Sequence, residues 1–208
     1  MGAWLALRKG SSRRLRFAHG IMPIIVGFGE ALSVRARARD LETMRTLLVP
    51  SEGLRLLDLG GGSGAAAERF STGFRDVVVL EPNRRKVAQG RRRRPSIRFQ
   101  EGHAESIPFP DDSFDRVTAV VSFHHMADQK QALAEIRRVL KGSGRLVLFE
   151  LPPSRAPGPI MQWIAGYRHG GHMAFHGPDD LLEQVRAAGF RDAATRRGVS
   201  GYFVVGTK

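Results

Sequence analysis

Apolar runs of strand length alternate along this chain with segments of helical periodicity. The apolar runs fall within residues 54–59, 76–83, 114–126, 145–150 and 199–207. This alternation predicts parallel βαβ units, and therefore an α/β protein with a doubly wound, mostly parallel sheet and helices on both faces. One helix is marked by apolar residues at helical spacing, and Gly142 is predicted to end it in the left-handed conformation. The apolar positions of that helix are Leu133, Ile136, Val139 and Leu140.

The residues before the first strand are predicted to form an N-terminal helical arm, 1–50, ahead of one globular domain, 51–208. An amphipathic helix in the arm is expected to end before Pro50, because the residue preceding a proline disfavours the helical conformation. The apolar residues of this helix are Leu41, Met44, Leu47 and Leu48.

Beyond Glu150 the chain is predicted to return to the sheet by way of helices. The prolines of LPPSRAPGP exclude a helix directly after Glu150, and the next predicted helix is a short one at 160–165. The segment GPDDLLEQVRAAGF then supplies a helix with an acidic start and a glycine stop. Residues 199–207 alternate in polarity and are predicted to end in the last strand.

The segment LLDLGGGSG, residues 56–64, has the pattern of a first strand followed by a nucleotide-binding turn. Glycine is needed in such a turn because a Cβ would block the approach of backbone N–H groups to a ligand. A helix opening near Ser63 would add its positive N-terminal end. The turn also fits the dinucleotide fingerprint G-x-G-x-x-G/A, so a nicotinamide-dependent oxidoreductase stays open at this point.

Further segments follow in order: DVVVLEPN (76–83), GHAESIPFPDDSFD (102–115), FDRVTAVVSFHHM (114–126) and ALAEIRRVLKGSGRLVLFE (132–150). With Asp58 ahead of the glycine turn, this series resembles the class I S-adenosylmethionine-dependent methyltransferases. The resemblance is greatest to the small-molecule group that includes the quinone-biosynthesis methyltransferases. It implies a Rossmann-like sheet of seven strands, with the last strand antiparallel beside strand five.

The resemblance also implies the cofactor, S-adenosylmethionine with S-adenosylhomocysteine as product, and the residues that hold it. The glycine turn would wrap the amino-acid part of the cofactor, with an acid like Asp58 near its ammonium group. Glu81 lies where an acid binds ribose hydroxyls. His103 stands where the family has aspartate against the adenine, and the N-terminal arm would cap the site. The predicted cofactor-binding residues are Asp58, Gly60, Gly61, Gly62, Gly64, Glu81, Pro82, Asn83, His103, Ala104, Glu105 and Ser122.

Two histidine clusters are candidates for chemistry. His124 and His125 follow strand four, where the methyl acceptor should lie, and are the predicted catalytic residues; a neutral imidazole there could take a proton. Alternatively, one packs under the cofactor and the other bonds a backbone carbonyl. The second cluster, His169, His172 and His176, could recruit zinc or line the acceptor pocket, and we expect no metal.

The acceptor is predicted to be a small molecule methylated on oxygen, carbon or an amine. Enzymes of this fold that methylate planar nitrogens usually carry an N/D-P-P-aromatic motif after strand four, and residues 122–125 read SFHH instead. Apolar residues after strand five favour a quinone-like or other apolar metabolite, although they could be ordinary core. These residues are Met161, Trp163, Met173 and Phe175.

Charge keeps a nucleic-acid methyltransferase open as an alternative. The 208 residues carry a net charge of +13, and most of the 33 basic residues are arginine. The densest cluster lies between residues 84 and 98, contains no acid, and lacks the interleaved aromatics expected for base stacking. Its predicted helix lies on the flank of the sheet, away from the ligand-binding strand ends. A non-catalytic cofactor-binding regulator of the same fold is the other alternative.

Composition excludes several further classes. Cysteine is absent, which removes disulfides, thiolate metal sites and cysteine nucleophiles. Apolar runs are too short for a membrane-spanning helix, which takes roughly 18 residues or more. The short apolar stretch 21–28 is interrupted by Pro23 and Gly27, so we interpret it as part of the folded protein and not as a signal peptide. We therefore expect a cytoplasmic protein.

Overall fold

The computed structural model describes residues 34–155 and 173–208. The chain divides into two units, Met1–Ala36 and Arg37–Lys208, and the second unit contains the sheet. Several predictions fall outside the described residues: the helix at 160–165, Met161, Trp163, His169 and His172. The capping role of the N-terminal arm stays a prediction.

Within the described residues, seven strands form a single sheet: β1 (Arg55–Leu59), β2 (Asp76–Glu81), β3 (Arg98–Glu101), β4 (Phe114–Val120), β5 (Leu140–Glu150), β6 (Arg191–Arg197) and β7 (Tyr202–Thr207). Their order across the sheet is β3-β2-β1-β4-β5-β7-β6. Strands β1 to β5 pair in parallel, whereas β7 is antiparallel to both β5 and β6, so the sheet is mixed. The predicted antiparallel position of the last strand beside strand five is confirmed.

Helices cover both faces of this sheet. They are α1 (Ala38–Leu48), α2 (Ala67–Phe70), α3 (Arg84–Arg93), α4 (Gln129–Val139) and α5 (Pro178–Ala187). Buried residues of α4 and α5 share one apolar cluster with Val117 and Ala119 of β4. Helix α1 lies on the opposite face, because its Met44 sulfur contacts the hydroxyl of Thr118, 3.4 Å away, and successive strand residues point to opposite faces.

The amphipathic helices follow the sequence pattern closely. Asp128 caps α4 by accepting a hydrogen bond from the Gln131 N–H, at 2.9 Å. The apolar stripe of α1 is buried at Leu41, Met44 and Leu48. The predicted periodicity is therefore confirmed for α1 and for α4 as far as Val139, whereas Leu140, also predicted to be helical, lies in β5.

Two predicted helix boundaries are wrong. Gly64 adopts a φ of +83°, which a right-handed helix cannot accommodate, so α2 begins at Ala67 and not near Ser63. Its first turn is closed by the Glu68 N–H bonding the Gly64 carbonyl, at 3.0 Å. At the other boundary, Gly142 does not stop a helix: α4 ends at Val139, and β5 starts at once with Leu140 paired to Phe114.

Candidate cofactor and acceptor site

The carboxyl ends of the parallel strands bring three buried acids to one edge of the sheet. Asp58 lies on β1, Glu81 ends β2 and Glu150 ends β5, and each is at most 4% exposed. In open α/β sheets, ligands bind outside the carboxyl ends of the strands, at the point where strand order reverses. Here that point lies between β1 and β4, which are neighbours in the sheet although not in the chain.

The glycine turn after β1 is tight against its surroundings. Gly60 has a φ of +65°, and its N–H bonds the carbonyl of Leu80 at 2.8 Å. A Cβ at Gly60 would lie 2.7 Å from the Cβ of Ser122, and one at Gly61 would collide with the carboxyl of Asp58. Larger residues are therefore excluded at both positions by neighbouring side chains, and the predicted approach of a ligand to this bare backbone stays a prediction.

Asp58 is the most unusual group at this edge. Its side chain is fully buried, and no described residue hydrogen-bonds either carboxyl oxygen. Burial, and secondarily the charge of Glu81, raises the pKa of Asp58 to about 8. A buried carboxyl without a partner is costly unless a ligand supplies one. It lies against the backbone of Gly61, so it fits the ammonium group of an amino-acid moiety wrapped by the glycine turn.

Glu81 holds the turn in place. One carboxylate oxygen accepts from the Gly62 N–H and the other from the Asn83 N–H, both at 3.0 Å. The Asn83 side chain is used elsewhere, because its carbonyl oxygen caps α3 by accepting from the Arg85 N–H at 3.0 Å. Pro82 is exposed between them. Binding of ribose by Glu81 stays a prediction.

The segment after β3 approaches the same edge. Ala104 is buried, whereas the His103 side chain is exposed and its carbonyl accepts from the Ser106 N–H at 3.2 Å. Glu105 links this segment to the loop after β4 by accepting from the Ala127 N–H at 2.7 Å. The assignment of residues 103–105 to the adenine stays a prediction.

A strained residue turns the chain at the end of β4. Val121 has a φ of 51°, which is unfavourable for a β-branched side chain. The turn aims the Ser122 hydroxyl back at the Leu59 carbonyl, to which it donates at 2.7 Å. Such strain is found where surrounding structure enforces it, often at functional sites. Ser122 therefore ties β4 to the start of the glycine turn.

His124 and Glu150 form a buried pair beside this turn. The Nδ1 atom of His124 lies 2.7 Å from Oε2 of Glu150, and the Phe123 N–H donates to Oε1 at 2.8 Å. The His124 ring stacks on Phe175, with centroids 4.2 Å apart and planes 20° from parallel. His125 is exposed, with its ring centroid 4.1 Å from that of His124.

Sequence reasoning missed Glu150 as a site residue. The signal was present, because RLVLFE is an apolar run that ends in an acid, as do the runs containing Asp58 and Glu81. Its role could not be assigned without the partner, since His124 lies 26 residues earlier in the chain.

His176 is satisfied by amide side chains. Its Nε2 atom lies 2.6 Å from Oε1 of Gln129, and its Nδ1 lies 3.2 Å from Nε2 of Gln184. The hydroxyl of Tyr202 donates to the His176 carbonyl at 2.8 Å. Within 34–155 and 173–208, no group of three or more acids and histidines is arranged to hold a metal ion.

The arginine-rich stretch has two kinds of residue. Arg94 reaches the glycine turn, donating to the Ser63 carbonyl at 2.9 Å and to Glu68 at 3.0 Å, and Arg91 donates to the Phe99 carbonyl at 2.8 Å. Exposed cations without a described ion-pair partner are Arg84, Arg85, Arg92 and Arg93. The expectation that this cluster lies away from the ligand-binding strand ends is therefore wrong for Arg94, which bonds the glycine turn.

Comparison with known proteins shows the family to which this chain belongs. A sequence profile for a methyltransferase domain matches residues 57–148. A demethylmenaquinone methyltransferase of Deinococcus radiodurans is 33% identical to this chain in an alignment of length 181. The matched part covers 72% of this chain and 74% of that protein. The chain belongs to the class I S-adenosylmethionine-dependent methyltransferases. The family cofactor fits the site described above, because its ammonium group would supply the partner that Asp58 lacks.

Other relatives match over shorter stretches. A demethylmenaquinone methyltransferase of Renibacterium salmoninarum is 41% identical over 98 residues, covering 47% of this chain and 41% of that protein. An uncharacterized methyltransferase of Bacillus subtilis, YcgJ, is 38% identical over 101 residues, covering 46% of this chain and 40% of that protein. The chain therefore matches about two fifths of the length of these two methyltransferases.

Solved structures agree on the fold of this methyltransferase. The crystal structure of the Bacillus subtilis YcgJ protein has a TM-score of 0.60 at 27% identity, covering 75% of this chain and 68% of that one. A methyltransferase structure from Thermotoga maritima has a TM-score of 0.71 at 20% identity, covering 92% and 99%. In the part of the chain that the structure describes, no helix is long and apolar enough to cross a membrane.

Proposed function

We propose that this chain transfers a methyl group from S-adenosylmethionine to a small-molecule acceptor, at oxygen, carbon or nitrogen. When bound, the cofactor supplies an electrophilic methyl group on a sulfonium. The observation that carries the proposal is the Asp58 carboxyl, fully buried under the glycine turn and without a described partner. Without a ligand this carboxyl avoids a buried charge by keeping its proton, and a bound cation would be the partner that lets it ionise.

The position of each group supports its proposed role in holding the cofactor. Asp58 binds the ammonium group, and the glycine turn approaches the amino-acid moiety with bare backbone. Glu81, already held by two backbone N–H groups, binds ribose hydroxyls beside the turn. Residues 103–105 lie next along the edge and face the adenine.

The acceptor lies on the β4 and β5 side of the edge. His124 is there with Phe175 against its ring, and His125 is the exposed neighbour. Stacked rings suit a planar, apolar acceptor, since aromatic groups gain from parallel contact. Relatives named as demethylmenaquinone methyltransferases support a quinone-like compound. A histidine within reach of the acceptor can take the proton that methylation releases.

Transfer of labelled methyl from S-adenosylmethionine into a fractionated cell extract tests the proposal. We expect label in the small-metabolite or lipid fraction. Label in RNA, abolished when Arg92 and Arg93 are neutralised and lost steeply with salt, would instead make this a nucleic-acid enzyme. That alternative is favoured by the exposed cations of α3. Absence of label from every fraction, with cofactor binding intact, would indicate a regulator.

Replacing Glu81 tests the cofactor site by itself. Glu81→Ala should weaken cofactor binding by roughly 1–3 kcal/mol, because a charge-assisted hydrogen bond to a partly buried ribose is lost. Glu101→Ala is the matched control: Glu101 pairs with Glu81 in the sheet and is exposed. Calorimetry should give binding of S-adenosylmethionine and none of NAD or NADP. Equal affinity in the two variants would mean that the site is misplaced.

A further inference from the structure

We propose that Glu150 is a positioning residue that fixes the tautomer of His124, leaving Nε2 as the proton acceptor of the reaction. The acceptor substrate then belongs to the class that must lose a proton on methylation, with an ionisable hydroxyl or an activated C–H. This inference rests on the proposed methyl transfer, and it assigns a role to a residue that sequence motifs do not mark.

The hydrogen bonds around Glu150 restrict where the protons of this pair can lie. The Phe123 backbone N–H can only donate, so Oε1 of Glu150 must accept, at 2.8 Å. The second oxygen, Oε2, lies 2.7 Å from Nδ1 of His124, within the range of a charge-assisted bond. Both side chains are buried, so water does not compete for these atoms. A carboxylate in this position requires a proton on Nδ1 of His124.

The neutral ring then presents the lone pair of Nε2. No described residue hydrogen-bonds this nitrogen. The ring is held in place by stacking on Phe175 and by the Ala174 N–H, which bonds the His124 carbonyl at 3.0 Å. The direction of Nε2 is therefore set by Glu150 on one side and by residues 174–175 on the other.

The proton and electron balance is complete with these groups. The X–H bond of the acceptor breaks, its proton goes to Nε2, and its electron pair forms the new bond to the methyl carbon. The carbon–sulfur bond of the sulfonium donor breaks, with its pair remaining on sulfur. The imidazolium that results lies against the Glu150 carboxylate, which stabilises the positive charge in a buried setting. Acceptors already ionised in solution gain little from this arrangement.

Glu150→Gln provides a sharp test because the neighbouring Phe123 N–H fixes the orientation of the new amide group. Its amide oxygen must face the Phe123 N–H, so its NH2 group must donate to His124 Nδ1. The His124 ring should therefore change from the Nδ1–H to the Nε2–H tautomer. Nitrogen-15 NMR of the histidine rings reads the tautomer directly, with the His124 signal assigned by its loss in His124→Asn. A wild-type ring in the Nε2–H form, or a tautomer unchanged in folded Glu150→Gln, would overturn the inference.

Kinetics supply the second readout. With the acceptor fraction of the extract, Glu150→Gln should lower kcat by ~10²–10⁴ while the cofactor dissociation constant stays within about twofold. Glu150→Asp should recover part of the rate because it keeps a carboxylate. Glu183→Gln, an exposed acid on α5, is the matched control and should keep full kcat.

The outcomes separate this inference from the proposed function. Full kcat in Glu150→Gln, with methyl transfer intact, would overturn the role of Glu150 and leave the methyltransferase assignment standing. Absence of transfer by the wild-type protein to any fraction would remove the proposed function, whereas the tautomer measurement would still decide what Glu150 does to His124.

Discussion

Cofactor binding should be coupled to ionisation of Asp58. Burial and the neighbouring Glu81 raise the pKa of Asp58 to about 8, so its carboxyl is mostly protonated at neutral pH in the ligand-free protein. An ammonium group binds the ionised form, because only the carboxylate offers the charge that compensates it. Binding must therefore expel the proton, and the apparent affinity should depend on pH.

The expected size of the pH dependence follows from the fraction of protein molecules in which Asp58 is ionised. With a pKa of about 8, roughly one molecule in 100 is ionised at pH 6 and roughly one in ten at pH 7. The association constant should therefore rise about ninefold between pH 6 and pH 7 and level off above pH 8. A conventional aspartate, with a pKa near 3.9, would give no change over this range.

Calorimetric titration with S-adenosylhomocysteine measures this dependence, since it carries the amino-acid part without reacting. Asp58→Asn removes the titrating group and should bind weakly, with little slope between pH 6 and pH 8. Repeating the wild-type titration at pH 7 in buffers of different ionisation enthalpy should show release of nearly one proton. A wild-type affinity independent of pH, or a slope retained in Asp58→Asn, would refute the reasoning.

The same shift has a consequence for stability. An acid whose folded-state pKa is raised keeps its proton in the folded protein between pH 4 and pH 8 while the unfolded chain has lost it. The free energy of unfolding of ligand-free protein should therefore fall as pH rises through this window, by on the order of 5 kcal/mol for a shift of about four units. The difference between wild type and Asp58→Asn, from urea unfolding at several pH values, isolates this contribution.

Two further substitutions test contacts that the sequence did not reveal. Arg94→Ala removes the hydrogen bonds that support the glycine turn and should weaken S-adenosylhomocysteine binding by about 1 kcal/mol. The control Arg92→Ala changes an exposed residue and should leave the dissociation constant within twofold of wild type. Equal losses of affinity in the two variants, measured by calorimetry, would contradict this role of Arg94. Asp40→Ala removes the carboxylate that accepts three hydrogen bonds from residues 199–200, and should lower the free energy of unfolding by roughly 3 kcal/mol, as measured by urea unfolding. Glu42→Ala, at an exposed position of the same helix, is the control. An unchanged urea midpoint in Asp40→Ala would count against the contact.

Local chemistry in the sequence determined the elements that need no distant partner. The run ending at Leu59 and the glycines after it specify a buried strand and a turn, because Gly60 and Gly62 adopt positive φ angles that residues with a Cβ rarely adopt. Helices α1 and α4 follow from apolar periodicity, which depends on neighbours three and four residues away, and α5 follows from its acidic start and the glycine after it. The number of strands and the antiparallel last strand came from resemblance to a family, and the strand order came only from the structure, since periodicity does not say which strands pair.

Tertiary structure decided what depends on residues far apart in the chain. Gly142 was predicted to end a helix, but pairing of Leu140 with Phe114 extends β5 back to the helix, and that pairing has no local signal. The bond between His124 and Glu150 exists because β4 and β5 lie side by side and parallel, so their carboxyl ends meet. Whether a buried carboxyl has a partner is likewise decided only in three dimensions. The sequence by itself therefore predicted the class of protein and the strand and glycine turn of the proposed cofactor site, whereas only the fold brought His124 and Glu150 together.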